Sequence, residues 1–372
     1  MNRFPGKLAL LQRVLPIYRA PFFDLLASAC DGGMSLFTGL PRPIEGITTT
    51  DKLQVAKYTL GKNVHLFGGK FYLCYQLGLI PWLQKTNPDA LIVEANPRYL
   101  STPVAVKWMH KRNKPVIGWG LGAPPPLSPP HFRGKWGGSK GGAGVRGRFI
   151  NQFDAMISYS QRGADEYAAL GFPRDKIFVA HNSVSPAPSH LLPNRPATFK
   201  SQPMILFVGR LQARKRIDLL LHACAEIQNI KLVIIGDGPQ REALKTVAEE
   251  IYPSAEFVGA KHGGEIKAYF EEADLFVLPG TGGLAVQEAM SYGLPIIVAQ
   301  GDGTQDDLVR EGNGWQIPPD DFDALVSTMK DALSDAARLR KMGAESYRIA
   351  KDEINIEKMV DIFTDAVSSF AK

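Results

Sequence analysis

Cysteine is scarce in this 372-residue sequence: Cys30, Cys74 and Cys224 are odd in number, far apart and include no CxxC pair. That excludes a disulfide framework and a cysteine zinc site, and it suits reduced thiols in a cytoplasmic protein. Long hydrophobic runs are missing too. No uninterrupted apolar stretch approaches the ~20 residues of a membrane-spanning helix. The nearest, FYLCYQLGLIPWL at 71–83, reads as a buried helix of a first domain, with a helix lying in a membrane interface as the alternative. The opening MNRFPGKLALLQRVLP is interrupted by Arg13 and lacks a small-residue cleavage pattern, so it reads as a first strand and not a secretory signal. Acidic residues are absent from 123–149, where prolines give way to glycines among Arg133, Lys135, Lys140, Arg146 and Arg148. Such a segment buries too little apolar area to fold alone and reads as a mobile loop. Trp136 and two phenylalanines are too few and too irregular for a base-stacking platform, which argues against nucleic acid.

The remaining composition is that of a soluble globular chain, 45% hydrophobic and 22% charged, and its length exceeds the size at which single cores stop growing. A net charge of +6 and a pI near 9.0 favour anionic partners, a small anionic substrate and an anionic membrane surface alike. Apolar strands alternate with helical stretches throughout, the pattern of α/β parallel sheets with ligand loops at the strands' carboxyl ends. In the first part the strands are LALLQRVLP, DALIVEAN, KPVIGWGLG, FDAMISYS and KIFVAHNSV, with helices through FFDLLASA and STPVAVKWMHKRN. A proline-rich segment, SPAPSHLLPNRP at 185–196, reads as a semi-rigid linker. Two domains follow, 1–188 and 189–354, with a final helix within 355–372.

The second domain carries the informative turns. ILFVGRLQARKRIDLLLHA at 205–223 is a strand, a cationic turn and an amphipathic helix, with Arg210 and Lys215 bracketing the turn. A guanidinium fork and a mobile ammonium together suit a diphosphate. About seventy residues on, ADLFVLP leads into GTGGLAVQEAMSYGLP, a glycine-rich loop opening a helix. Gly280, Gly282 and Gly283 admit a ligand close to the backbone, and the amides at the helix start add partial positive charge. Thr281 supplies a hydroxyl, and Glu288 lies on the same helix face as Leu284, placed to accept hydrogen bonds from sugar hydroxyls. Each feature alone is equally compatible with a solvated loop or a packing turn. Asp302, Asp306 and Asp307 cluster at a helix start, where carboxylates serve as caps, so no metal site is expected.

Together, residues 205–332 resemble the nucleotide-sugar-binding half of glycosyltransferase family 4, a retaining family with the GT-B fold of two Rossmann-like parallel-sheet domains facing across a cleft. The resemblance implies that Arg210 and Lys215 hold the donor diphosphate and Glu288 the donor ribose. It implies further donor contacts from Gly209, Gly236, Gly259, Gly280, Thr281, Gly282, Gly283 and Leu284. The family's first glutamate, eight positions before Glu288, is replaced by Gly280, which marks the sugar side as unusual. Asn182 and Val184 match the family's exit from the first domain, and the final helix is expected to cross back onto that domain. The family's histidine after VIGWGLG has no counterpart, Leu121 standing there, and His110 and His131 are the guesses that remain.

The implied activity is transfer of a hexose from a nucleotide diphosphate sugar, UDP-sugar by preference, to a glycan or lipid-linked acceptor in polysaccharide biosynthesis for the cell envelope. No cofactor or metal is expected, and the leaving phosphate itself takes the acceptor's proton. The protein is expected in the cytoplasm, with peripheral contact to an anionic membrane at its inner face. The basic 123–149 segment is then a solvated loop, an acceptor lid or a lipid contact. Two other readings stay open: a nucleotide-sugar-binding protein without activity, motivated by Gly280 and the missing histidine, and a nucleotide-sugar epimerase of the same fold.

Overall fold

The computed structural model describes residues 2–122, 139–199, 202–261, 264–301 and 303–371. Two compact units form, Met1–Val184 with Ile356–Lys372, and Ser185–Asn355. In chain order the first contains β1 (Leu8–Val14), α1 (Ala20–Ser28), β2 (Met34–Gly39), β3 (Lys57–Leu60), β4 (Lys62–Leu66), β5 (Leu73–Leu77), α2 (Leu79–Thr86), β6 (Ala90–Glu94), α3 (Thr102–His110), β7 (Val116–Gly120), α4 (Ser139–Ile150), β8 (Ala155–Ser158), α5 (Gln161–Ala169) and β9 (Ile177–Val179). The second contains β10 (Met204–Val208), α6 (Ile217–Ala225), β11 (Lys231–Ile235), α7 (Arg241–Ile251), β12 (Glu256–Gly259), α8 (Gly264–Glu272), β13 (Leu275–Leu278), α9 (Leu284–Ser291), β14 (Ile296–Ala299), α10 (Thr304–Leu308), β15 (Gly314–Ile317), α11 (Phe322–Leu333) and α12 (Ala336–Asp352). α13 (Ile356–Ser368) then belongs to the first unit.

The first unit is built on a parallel sheet of order β3-β2-β1-β6-β7-β8-β9. β1 shows why: its Leu8 and Leu10 join the core shared with α1 and α13, whereas Ala9 and Leu11 join the core on the opposite face. Both faces of such a strand are covered, so it reads as a continuous apolar run. α13 is held by Phe363, which meets Phe22 and Trp119 edge-on, each at 5.0 Å. Arg19 is buried beside it, donating to the Ser183 carbonyl at 3.1 Å and to Asn182 Oδ1, with its guanidinium 5.6 Å from the Tyr159 ring.

Two expectations change here. Segment 71–83 is not one helix, buried or interfacial: β5 pairs antiparallel with β4, and α2 starts only after Gly78, whose left-handed φ of 87° ends the strand. The alternating burial of Cys74 and Gln76 in β5 is the strand period hidden inside an apolar run. The loop expected over 123–149 is helical from Ser139, and that helix is anchored by buried Ile150 and by Phe149 packing on Phe153 at 5.4 Å; residues 123–138 lie outside the described residues. The 185–196 segment, expected as a semi-rigid linker, is tied to the second unit. Arg195 donates to Phe270, Ala273 and Tyr292 carbonyls at 2.6, 2.9 and 2.8 Å, and His190 stacks on Tyr292 at 4.6 Å.

The second unit repeats the architecture with a six-stranded parallel sheet, β12-β11-β10-β13-β14-β15. Arg195 satisfies the carbonyl ends of both α8 and α9, groups a helix terminus otherwise leaves without partners. Burial and the charge of Arg340 push its pKa down to about 10, still protonated at neutral pH. Replacing Arg195 with Met removes these charge-assisted bonds, four with the one to the Gly293 carbonyl at 3.3 Å, so a loss of about 2 kcal/mol is expected in thermal unfolding of the full chain. An unchanged midpoint would show that the clamp contributes nothing.

Candidate functional site

In the second sheet the strand order reverses between β10 and β13, so the loops leaving these neighbours open a crevice at their carboxyl ends. The loop after β10 carries Arg210, Arg214 and Lys215; the loop after β13 is Gly280–Gly283. The two are fastened together. Thr281 donates its amide to the Arg214 carbonyl at 3.0 Å, and Arg214 Nη1 donates to the Thr281 carbonyl at 3.3 Å.

Gly280 explains itself in this contact. A Cβ there would stand 2.2 Å from the Arg214 carbonyl oxygen and 2.5 Å from Lys215 Cα, so no side chain fits unless a loop moves. The glutamate that the family pattern places at this position is therefore excluded by backbone packing, and Gly280 is buried against the turn. Gly282 sits at φ 80°, and a Cβ built on it would lie 3.1 Å from Arg214 Nη1 and 3.3 Å from Lys215 Nζ. Two cations thus converge on the outer bend of this loop.

Lys215 is 7% exposed, and no described residue accepts a hydrogen bond from its ammonium. Burial first, and then the charge of Arg214, push its pKa down to about 8. α9 begins immediately afterwards, with no side-chain cap at Gly283 and no acid in its first turn, so its N-terminal amides add to the same positive field. Glu288 is half-buried one turn into α9, and Thr281 and Arg210 are exposed at the crevice. Gly209, Gly236 and Gly259 form a row across three strand ends: Gly209 N donates to the Ile235 carbonyl at 3.0 Å, and Gly236 N to that of Gly259 at 2.9 Å.

The structure thus brings Lys215 together with Gly280, Thr281, Gly282, Gly283 and the start of α9 at Leu284. Arg214 was missed; its signal was the run of cations in RLQARKR. His110 is not part of any such site. It pairs with Asp154 at 2.9 Å, and Asp154 also accepts the Val116 amide at 2.7 Å, at the amino ends of β7 and β8. His131 and Asp302 lie outside the described residues, and among the described residues no group of three or more potential ligands could hold a metal ion.

The first unit has a crevice of its own where β1 and β6 lie side by side. Arg13 pairs with Glu45 at 2.8 Å, with both side chains largely buried, and Arg42 reaches Glu45 at 3.1 Å. Glu94, ending β6, accepts the Arg13 amide at 2.5 Å, and burial pushes its pKa up to about 6. This group was also missed, although an acid closing the apolar strand DALIVE was its signal.

A buried ammonium without an acceptor is a cost to the fold that a bound anion would offset. A pKa lowered from 10.5 to about 8 corresponds to roughly 3 kcal/mol before discounting. The unfolded chain binds more protons between these values, so stability rises as pH climbs from 8 to 10.5, while below 8 the full penalty is present. Lys215→Met is therefore expected to raise the unfolding midpoint at pH 7 and to lose that rise. A less stable variant at pH 7 would contradict the assignment.

Residues 191–349 match the family described as glycosyl transferases group 1. A putative colanic acid biosynthesis glycosyltransferase, WcaL, from Escherichia coli strain K12 is 28% identical over 192 residues, 47% of this chain and 47% of that protein. A GDP-mannose-dependent alpha-mannosyltransferase from Mycobacterium tuberculosis is 34% identical over 213 residues, 54% of this chain and 55% of that one. The chain spans about half the length of these curated relatives. Anabaena Alr3699/HepE, solved in complex with UDP-glucose, shares the fold over 98% of this chain and 100% of its own, with a TM-score of 0.66 at 16% identity. The two parallel-sheet units are the GT-B fold, and residues 191–349 carry the match to the glycosyl transferases group 1 family.

Proposed function

We propose that the protein is a retaining glycosyltransferase, moving a hexose from a nucleotide diphosphate sugar, UDP-sugar by preference, to a glycan or lipid-linked acceptor in polysaccharide biosynthesis. The observation that carries this reading is the Lys215 ammonium, buried with no acceptor among the described residues, beside the left-handed Gly282 and the uncapped start of α9. Preorganised cations and amides of this kind stabilise charge that grows on a departing diphosphate. Lys215, Arg210 and the Gly282–Leu284 amides would hold the phosphates, Arg214 would support them, and Glu288 would accept the ribose hydroxyls. Gly209, Gly236 and Gly259 would line the nucleotide's path along the strand ends.

In the proposed step the bond from the anomeric carbon to the diphosphate oxygen breaks, the acceptor oxygen bonds that carbon on the same face, and its proton passes to the leaving phosphate. No protein nucleophile and no metal ion is needed. The acceptor would occupy the first unit, and the protein would work in the cytoplasm with peripheral contact to an anionic membrane. Names such as colanic acid biosynthesis among the relatives support the polysaccharide setting.

A second reading, a nucleotide-sugar-binding protein without transfer activity, is favoured by Gly280, whose closed packing removes the family's sugar-side glutamate. One experiment separates the two. A panel of UDP- and GDP-sugars without acceptor should show slow hydrolysis of one donor, with the released sugar first appearing in the donor's anomeric configuration. Arg210→Ala and Lys215→Ala should each weaken UDP binding about ten- to a hundredfold. Binding without turnover selects the second reading, and UDP binding indifferent to both substitutions would refute the site.

A further inference from the structure

The tip of the β4–β5 hairpin exposes two aromatic rings: Phe67 is 75% and Phe71 70% exposed. Phe67 is held at φ 58°, a left-handed conformation that bulky residues rarely adopt. Beside the rings lies an open pocket of about 610 Å³ lined by Phe67, Gly68, Phe71, Tyr72, Leu73 and Arg98. It is almost wholly apolar except for Arg98, and no described residue accepts a hydrogen bond from that guanidinium.

The walls are fixed. β4 and β5 pair from Lys62 opposite Leu77 to Leu66 opposite Leu73, and Cys74 exchanges backbone hydrogen bonds with the Arg98–Leu100 turn, both at 2.9 Å. Tyr72, at the back, is bonded to His65 Nδ1 at 2.9 Å and lies under the Arg42 guanidinium, 4.3 Å from its ring centroid. The stretch that contains the hairpin, residues 52–88, has five lysines and no aspartate or glutamate, and Lys57 on β3 and Lys62 at the hairpin's base are exposed.

Two exposed rings on one turn, an apolar slot behind them, a guanidinium on its wall with no acceptor among the described residues and a lysine-rich, acid-free stretch of chain are complementary to an anionic lipid, with its hydrocarbon chain and its phosphate. We propose that this hairpin docks the protein on an anionic bilayer, with Phe67 and Phe71 entering the interfacial layer, an acyl chain filling the pocket and Arg98 taking the lipid phosphate. This deepens the peripheral membrane contact proposed above and rests on that reading. Arg98 lies four residues beyond Glu94, so docking holds the first unit's crevice at the bilayer surface, where a lipid-linked acceptor resides.

The test is co-sedimentation of the full chain with phosphatidylcholine vesicles, with and without phosphatidylglycerol, alongside UDP titration of the same samples. Wild-type protein should bind only the vesicles containing phosphatidylglycerol, and less so at high salt. The Phe67→Ser/Phe71→Ser double variant should lower the bound-to-free ratio at least about tenfold, and Arg98→Gln should lose the preference for phosphatidylglycerol. Phe67→Trp should show a blue-shifted emission on adding those vesicles. UDP affinity should stay unchanged in every variant, so failure of UDP binding indicts the donor site alone. The proposal is overturned if wild type ignores anionic vesicles, if the double variant sediments as wild type does, or if the double substitution only converts a dimer to a monomer.

Discussion

The crevice between β10 and β13 depends on one close approach, that of the Gly280–Gly283 loop to the Ala213–Lys215 turn. It exists because β10 and β13 are neighbours across the reversal in strand order, and it is tight because Gly280 carries no side chain. A Cβ at that position would collide with the backbone of Arg214 and Lys215. The contact seals the Lys215 ammonium from water and aims it, with Arg214, at the bend where Gly282 turns left-handed. What makes the lysine costly to the fold is what makes the place attractive to an anion.

This changes the meaning of the departure at position 280. From sequence, glycine there marks a lost sugar contact. In the structure it is the condition for the loop to reach the turn at all. For the proposed donor, specificity toward the sugar would then fall to what the bend leaves exposed, Thr281 above all. In the first unit the same strand reversal sets Glu94 beside Arg13 and Glu45, so the two units use one topology to build two crevices of different character, one cationic and one mixed.

Legibility from the sequence followed physical range. Buried parallel strands such as LALLQRV, DALIVE and ILFV are continuous apolar runs, and most were readable as such; MSLFTG and KYTL, in which polar residues interrupt the run, were not. The glycine turns and Lys215 were readable because their spacing from the strands is local. Segment 71–83 misled because an apolar run carries no period until one knows which side is covered, and Gly78 was the only local mark of the break. Arg195, Arg19 and the Arg13–Glu45–Glu94 group escaped notice because their partners lie tens to hundreds of residues away. No local pattern encodes a guanidinium that caps two helices at once. The exposure of Phe67 was likewise invisible, whereas Phe71 opens the apolar stretch for which an interfacial reading stood beside the buried one.

The central claim, that Lys215 is the buried cation for a diphosphate, is tested most directly by the pH dependence of UDP affinity. With a pKa of about 8 in the free protein, the ammonium is lost as pH rises through 8, and binding UDP above that point requires taking up a proton. Calorimetric titration should therefore show affinity falling about tenfold from pH 7 to pH 9, with net proton uptake at the higher pH and neither effect in Lys215→Ala. An affinity that stays flat across this range in the wild-type protein would contradict the account.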